Sequence, residues 1–260
     1  MHPVQNPPDS AAATHAGVVG AIPARYGSTR LTGKPLRSLA GRPMIEHVYR
    51  RASEASRLDR VVVLTDDERV GKAVSAFDGE WEMTPAECAS GTDRIAWAAR
   101  QWKAQAVINI QGDEPLIEPA VIDLLAKHLV ALPQDPIVTL AAPAEAGDRD
   151  NPNVVKVVVD SGGRALYFSR APIPYPQQEE GRAPLRHIGI YGYQLAALFE
   201  LAALEPSPLE IAESLEQLRA LENGLAIRVL EIERAWLGVD TMEDLERVEE
   251  ILFERASGSI

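Results

Sequence analysis

Arg25, Arg30 and Lys34 crowd into one short segment, residues 20–35, which reads GAIPARYGSTRLTGKP. The apolar run Val18, Val19, Ala21 and Ile22 leads into it as a strand, and Gly27, Ser28, Thr29 and Gly33 interleave with the cations. Glycines let the backbone bend and approach a ligand, and their N–H groups join hydroxyls in facing an anion. Arginine and lysine supply the charge that polyphosphate recognition needs. In a chain of formal net charge -12 such a loop stands apart. It reads as a triphosphate cradle.

Opposite charge gathers at residues 107–115, VINIQGDEP, where an apolar strand ends in Gln111, Gly112, Asp113 and Glu114 before Pro115 halts it. Open α/β sheets place ligands at the carboxyl ends of their strands. Two acids facing a cationic loop suggest a divalent metal, since Mg²⁺ is held by one or two carboxylates together with phosphate oxygens. The plainer alternative is a solvated turn that caps the helix starting at Pro119. Asp240, in the GVDT of residues 238–241, would ordinarily be a helix cap. A metal in need of a second carboxylate makes it the distant partner of Asp113.

Ser90, Thr92 and Arg94 belong to SGTDR, which opens a helix. Its free N–H groups and the Thr92 hydroxyl suit a pyrimidine edge or a ribose, against the plainer reading of an ordinary helix start. Arg170 ends a strand, His187 precedes one that carries Tyr191 and Tyr193, and Glu216 and Gln217 sit on a later helix. Together they offer an arginine for a carboxylate and hydrogen-bonding groups for hydroxyls. His187 alone reads as structural, because no second histidine or cysteine lies at ligand spacing.

The elements that must hold these residues alternate. Short apolar runs at 18–24, 60–65, 106–110, 137–142, 154–160, 165–169, 188–193 and 227–232 read as strands. Helical patterns at 43–56, 68–77, 91–102, 119–131, 195–203, 208–223 and 242–255 separate most of them. Such alternation predicts an α/β fold with a mostly parallel central sheet. Residues 151–193 differ, stringing strands together through a Ser161-Gly162-Gly163 turn, and predict a smaller antiparallel insertion. Thr241 is placed to cap the final helix, with Glu243 and Asp244 in its first turn.

Length and composition set the limits. The 260 residues suffice for one α/β domain with a full core, residues 17–260, carrying the insertion as a subdomain suited to acceptor recognition or a dimer interface. The acidic balance argues against nonspecific nucleic-acid binding. A single cysteine, Cys88, excludes an intrachain disulfide framework and fits a reducing cytoplasm. No apolar run approaches the roughly 20 residues of a membrane span. Residues 1–16 lack the pattern of a secretory signal and read as a disordered tail.

PARYGSTRLTGKP, the TDD after the second strand, SGTDR, NIQGDEP, NPNVVKVV, YFSRAPIP, HIGIYGY, SPLEIAESLEQLR and GVDTMEDLERV follow one another in this order. The set, spanning about residues 18–250, resembles the 3-deoxy-manno-octulosonate (KDO) cytidylyltransferase family. The resemblance implies a Rossmann-like nucleotide-diphospho-sugar transferase fold, usually a homodimer. It implies transfer of CMP from CTP to KDO with release of pyrophosphate, aided by Mg²⁺, in lipopolysaccharide biosynthesis. It implies nucleotide contacts from Ala24, Arg25, Ser28, Lys34, Ser90, Thr92 and Arg94, with Asp113 and Asp240 on the metal. Gln111, Arg170, His187, Tyr191, Glu216 and Gln217 would line the sugar pocket, and Asp113, Asp240, Lys34 and Arg25 would carry catalysis.

Thr32 departs from the proline usual in that family, and the tail has no counterpart there. Neither change touches a charged group, so activity is expected to survive. The alternatives are a cytidylyltransferase for another acidic sugar, sialic-acid-like or amino-modified, and a CTP-binding protein without chemistry. A glycosyltransferase reading would need an acid pair such as Asp148–Asp150, which lies in a polar loop without a preceding apolar strand.

Overall fold

A computed structural model describes residues 17–27, 31–177 and 183–256. The chain runs β1 (Gly17–Pro23), β2 (Ser38–Leu39), β3 (Arg42–Pro43), α1 (Met44–Ser53), β4 (Arg60–Thr65), α2 (Glu68–Ser75) and β5 (Trp81–Met83). It continues through α3 (Gly91–Ala99), β6 (Ala104–Asn109), α4 (Pro119–Ala131), β7 (Ile137–Pro143), β8 (Lys156–Val159) and β9 (Ala165–Ser169). It ends with β10 (Leu185–Gln194), α5 (Leu195–Ala202), α6 (Pro208–Glu213), α7 (Gln217–Glu222), β11 (Ile227–Glu231) and α8 (Met242–Ala256).

The main sheet is ordered β11-β7-β10-β6-β1-β4-β5, with β8 and β9 joined on at β10. β1 pairs parallel with β4 and β6, and β11 parallel with β7. β10 is antiparallel to both β6 and β7, so those two run the same way and β10 alone opposes them in the main path. The expected antiparallel insertion is present as β8, β9 and β10. It does not stand apart, because its longest strand completes the middle of the sheet.

Both faces of the sheet are covered, which is why its strands are apolar nearly throughout. Val18 and Ile22 of β1 face one core with Ile45 and Val48 of α1 and Ile122 and Leu125 of α4. Val19 and Ala21 face the other with Ile95 of α3, Leu198 of α5 and Leu218 of α7. This alternation is the period-2 pleat of a strand. A third cluster, Leu39, Met44, Leu116, Val239, Leu245 and Val248, ties α8 to the β2–β3 hairpin and thereby fixes residue 240. Thr241 caps α8 as expected: the Asp244 N–H donates to its Oγ1 at 3.1 Å.

The helix expected over 208–223 is two helices. Ser214 between them is left-handed, with φ 53°. The cause is remote: Glu213 accepts from Ser169 Oγ at 2.6 Å and from the Arg170 N–H at 2.9 Å, which pulls the chain out of register with a continuous helix. The short strand β5 and the β2–β3 hairpin lie outside the expected strands. The expected tail, residues 1–16, lies outside the described residues.

Candidate active site

β1 and β6 lie side by side and parallel, so their carboxyl ends deliver the cationic loop and the acidic turn to one rim. Between them is a cleft of about 390 Å³, within the range of small-molecule sites. It is lined by Pro23, Ala24, Arg25, Gly27, Lys34, Pro35, Gly91, Arg94, Gln111, Gly112, Asp113 and Asp240. Of the residues singled out in the sequence, Ala24, Arg25, Lys34, Arg94, Gln111, Asp113 and Asp240 therefore meet in one place. Ser28 lies outside the described residues, and Thr32 is exposed beyond the lining.

Gly33 adopts φ 69°, a left-handed turn that glycine takes without strain, and starts the single 3-10 turn Lys34–Leu36. That turn aims Lys34 across the cleft. Its Nζ lies 2.5 Å from Asp113 Oδ2 and 3.2 Å from Asp240 Oδ1. One ammonium thus holds two carboxylates contributed 127 residues apart in sequence. Lys34 is only 12% exposed and Asp113 35%, against 54% for Asp240, so the Asp113 contact is the less screened of the two. Arg25 Nε is buried and has no hydrogen-bond partner among the described residues. A desolvated, unpartnered guanidinium N–H facing a cleft is suited to an anion.

Glu114, beside Asp113, turns inward. It accepts from Trp236 Nε1 at 2.5 Å and lies against Gly238, where a Cβ would come within 2.9 Å of its Oε1. Burial, reinforced by the neighbouring charge of Asp113, pushes its carboxyl up to about 8. Asp113 and Asp240 are therefore the two carboxylates that reach the rim. Glu114 works underneath them, as the prop of the GVDT turn.

Arg94 is fully buried at the cleft floor. Its Nη2 is paired with Asp66 Oδ2 at 2.8 Å and its Nη1 donates to Thr84 Oγ1, while Nε has no partner among the described residues. Ser90 and Thr92 do not line the cleft. Ser90 caps α3 in a reciprocal box with Asp93, the ordinary helix start, and Thr92 Oγ1 donates to Glu216 Oε2 at 2.5 Å. Only the backbone of this helix start, at Gly91, reaches the cleft beside Arg94.

The residues assigned to the sugar divide. Gln111 is in the cleft. Tyr191, Glu216 and Gln217 surround a separate cavity of about 20 Å³ behind it, into which the buried, unpartnered Tyr191 hydroxyl is set. That space holds about one water, not an eight-carbon sugar. His187 lines neither space. Its ring packs edge-on to Phe168 at 5.0 Å and against Tyr191 at 5.4 Å, and Nε2 lies 3.0 Å from Thr139 Oγ1. Burial lowers the imidazole to about 3, so it is neutral. Arg170 is also away from the cleft: Nε, Nη1 and Nη2 donate to the carbonyls of Glu213, Pro152 and Ser214. Three of its five N–H groups are spent on main chain.

The donor set can hold Mg²⁺. Two carboxylate oxygens already converge on one cation, and their separation cannot exceed the sum of the two Lys34 distances. No group of three or more His, Cys, Asp or Glu among the described residues could hold a metal ion by itself, so a hard ion here would complete its shell with ligand oxygens.

Sheet and cleft together define an α/β nucleotidyltransferase. The sequence model of the cytidylyltransferase family matches residues 19–232. The chain belongs to that family. A 3-deoxy-manno-octulosonate cytidylyltransferase of Syntrophobacter fumaroxidans is 50% identical over 248 residues, covering 93% of this chain and 99% of the relative. The Myxococcus xanthus protein of the same name is 47% identical over 243 residues, 91% of this chain and 97% of the relative. The solved structure of CMP:2-keto-3-deoxy-manno-octonic acid synthetase complexed with CTP superposes with a TM-score of 0.89 at 44% identity, over 92% of this chain and 99% of that one. No helix among the described residues is long and apolar enough to cross a membrane.

Proposed function

We propose that this chain transfers CMP from CTP to KDO, releasing pyrophosphate. The observation that carries the reading is the meeting of Arg25, Lys34, Asp113 and Asp240 in one cleft of a cytidylyltransferase-family fold. The anomeric hydroxyl of the sugar attacks the α-phosphorus in line. The new bond is oxygen to α-phosphorus, the bonds that break are the hydroxyl O–H and the one joining the α-phosphorus to the bridging oxygen, the proton passes to solvent, and pyrophosphate departs with the electron pair. Positioning and charge carry such a step, so no side-chain nucleophile is needed.

Arg25 and Lys34 meet the β- and γ-phosphates and stabilise the charge that grows on the leaving group. Gly91 and Arg94 border the cytidine. Asp113 and Asp240 would hold Mg²⁺, which supplies charge neutralisation and a lowered hydroxyl pKa when bound. Gln111 meets the sugar inside the cleft. Arg170 keeps two N–H donors for the sugar's carboxylate, while the cavity at Tyr191, Glu216 and Gln217 must widen before it can admit any part of the sugar. The homodimer, the lipopolysaccharide route and a cytoplasmic location belong to the same proposal.

The test is pyrophosphate release from CTP with KDO, a sialic acid and an amino-modified KDO, each with and without Mg²⁺. Release with KDO and Mg²⁺ supports the proposal. Release only with another acidic sugar, or CTP binding without release, overturns it.

A further inference from the structure

Strands β4, β1 and β6 are consecutive parallel neighbours, so the carboxyl end of β4 opens on the same rim as the cradle and the acidic turn. Two acids follow β4 there. Asp66 goes to Arg94 at the cleft floor. Asp67 turns instead to Arg69 and takes its guanidinium by the edge, with Nε 2.9 Å from Oδ1 and Nη2 2.6 Å from Oδ2. The same Oδ1 accepts the Arg69 N–H at 2.8 Å, which caps α2. Neither Asp67 nor Arg69 lines the cleft.

Held by its edge, the guanidinium covers the ring of Tyr26, with Cζ 3.4 Å from the ring centroid. Tyr26 directly follows Arg25. Its carbonyl accepts the Gly33 N–H at 2.9 Å, and a Cβ on Gly33 would come within 3.2 Å of its Cε2. Gly33 directly precedes Lys34. Tyr26 therefore closes the neck of the cradle, with one cleft cation on each side of the closure. We infer that Arg69, aimed by Asp67, is a positioning residue that clamps Tyr26 and so fixes Arg25 and Lys34 at one spacing for the triphosphate.

Arginine suits this place because its planar fork pairs with a carboxylate through the edge while its face stacks on an aromatic ring. Without the clamp the ring keeps its packing on Gly33 and on the apolar core but gains freedom to swing. The neck turns at a glycine, whose backbone has many alternatives. Arg25 and Lys34 would then sample more than one spacing. A polyphosphate binds the fraction in which both cations match it, and its apparent affinity falls by that fraction. Gln111 stands on the far side of the cleft, beyond the end of β6, so the sugar's contacts are spared. The effect is confined to the nucleotide.

The inference rests on the CMP-transfer reading above for the identity of the ligand, but the clamp can be read without it. Arg69→Ala removes a side chain that is 59% exposed and leaves the Asp67 cap in place. Calorimetric binding of CTP with Mg²⁺ and no sugar should weaken about three- to fivefold, the scale of one exposed cation–π contact. The KM for CTP should rise by the same factor, with the KM for KDO unchanged. Tyr26→Leu should match that loss, and Tyr26→Phe, which keeps the ring, should restore near-normal binding. Tyr26→Leu combined with Arg69→Ala should be scarcely worse than either change alone. Unchanged CTP affinity in Arg69→Ala, an equal rise of both KM values, or a double variant whose loss is the product of the single losses would overturn the positioning role. If the wild-type protein binds CTP but releases no pyrophosphate with KDO, the transfer reading fails and the calorimetry still decides the clamp. In the ligand-free protein the Arg69 Hε resonance should lie upfield over the Tyr26 ring and move downfield in Tyr26→Leu. An unmoved resonance would overturn the clamp itself, whether or not CTP binds.

Discussion

Lys34 Nζ lies 2.5 Å from Asp113 Oδ2 while also reaching Asp240 at 3.2 Å. Two unit charges of like sign at such range repel by about 3 kcal/mol at an effective dielectric near 20. The ammonium offsets that repulsion, and it stands where a metal shared by the two acids would stand. A metal held by the two acids, as proposed, would compete with the lysine in the free protein, and arriving phosphates would offer the lysine another partner.

Replacing Lys34 by methionine should therefore have opposite effects on two ligands. The KM for CTP should rise about 10- to 100-fold, the scale of a lost charged hydrogen bond. Mn²⁺ binding without nucleotide, followed by electron paramagnetic resonance, should tighten, because the competing ammonium is gone. Weaker Mn²⁺ binding in the variant would show that Lys34 does not occupy the cation's place.

Arg170→Lys should lower the melting temperature by several degrees, since three carbonyls lose the planar fork that joins β9 to the α6–α7 junction. If its remaining N–H groups meet the sugar carboxylate, the KM for KDO rises about tenfold with the KM for CTP unchanged. A stability loss with both KM values unaltered would leave Arg170 a structural tie only.

His187 gives a pH signature. Burial depresses its imidazole from 6.5 to about 3. Above pH 6.5 neither folded nor unfolded chain is protonated there, and its contribution to stability is fully present. As pH falls from 6.5 toward 3 the unfolded chain takes up a proton that the folded one refuses. Stability is lost at up to about 1.4 kcal/mol per pH unit. Denaturant unfolding of His187→Gln across pH 4–7 should show a shallower slope than wild type. Equal slopes would contradict the burial of a neutral ring.

Local chemistry was legible in the sequence, and long-range partnership was not. The cradle and the acidic turn could be read because glycines, cations and acids sit next to the strands that end at them. Asp240 could be matched to Asp113 only by asking what a metal requires. Glu114 looked like a second rim acid, yet Trp236, far along the chain, draws it underneath. Thr92 looked like a ligand contact, and its partner is Glu216, 124 positions on. The break at Ser214 likewise comes from β9, not from any helix breaker in the 208–223 segment. Asp66 offered one missed clue: an acid ending β4, beside a helix whose only early cation is Arg94, marks the pair that forms the cleft floor.

The central claim is that Asp113 and Asp240 act as one unit in the transfer step, and a double-substitution cycle measures it. Pyrophosphate release from CTP and KDO would be compared for Asp113→Asn, Asp240→Asn and the pair. Each single change should lower kcat by about 10²–10³-fold. The pair should be scarcely worse than either, as residues of one functional unit behave. A double variant whose loss equals the product of the two single losses, or a single variant with near-normal turnover, would contradict the account.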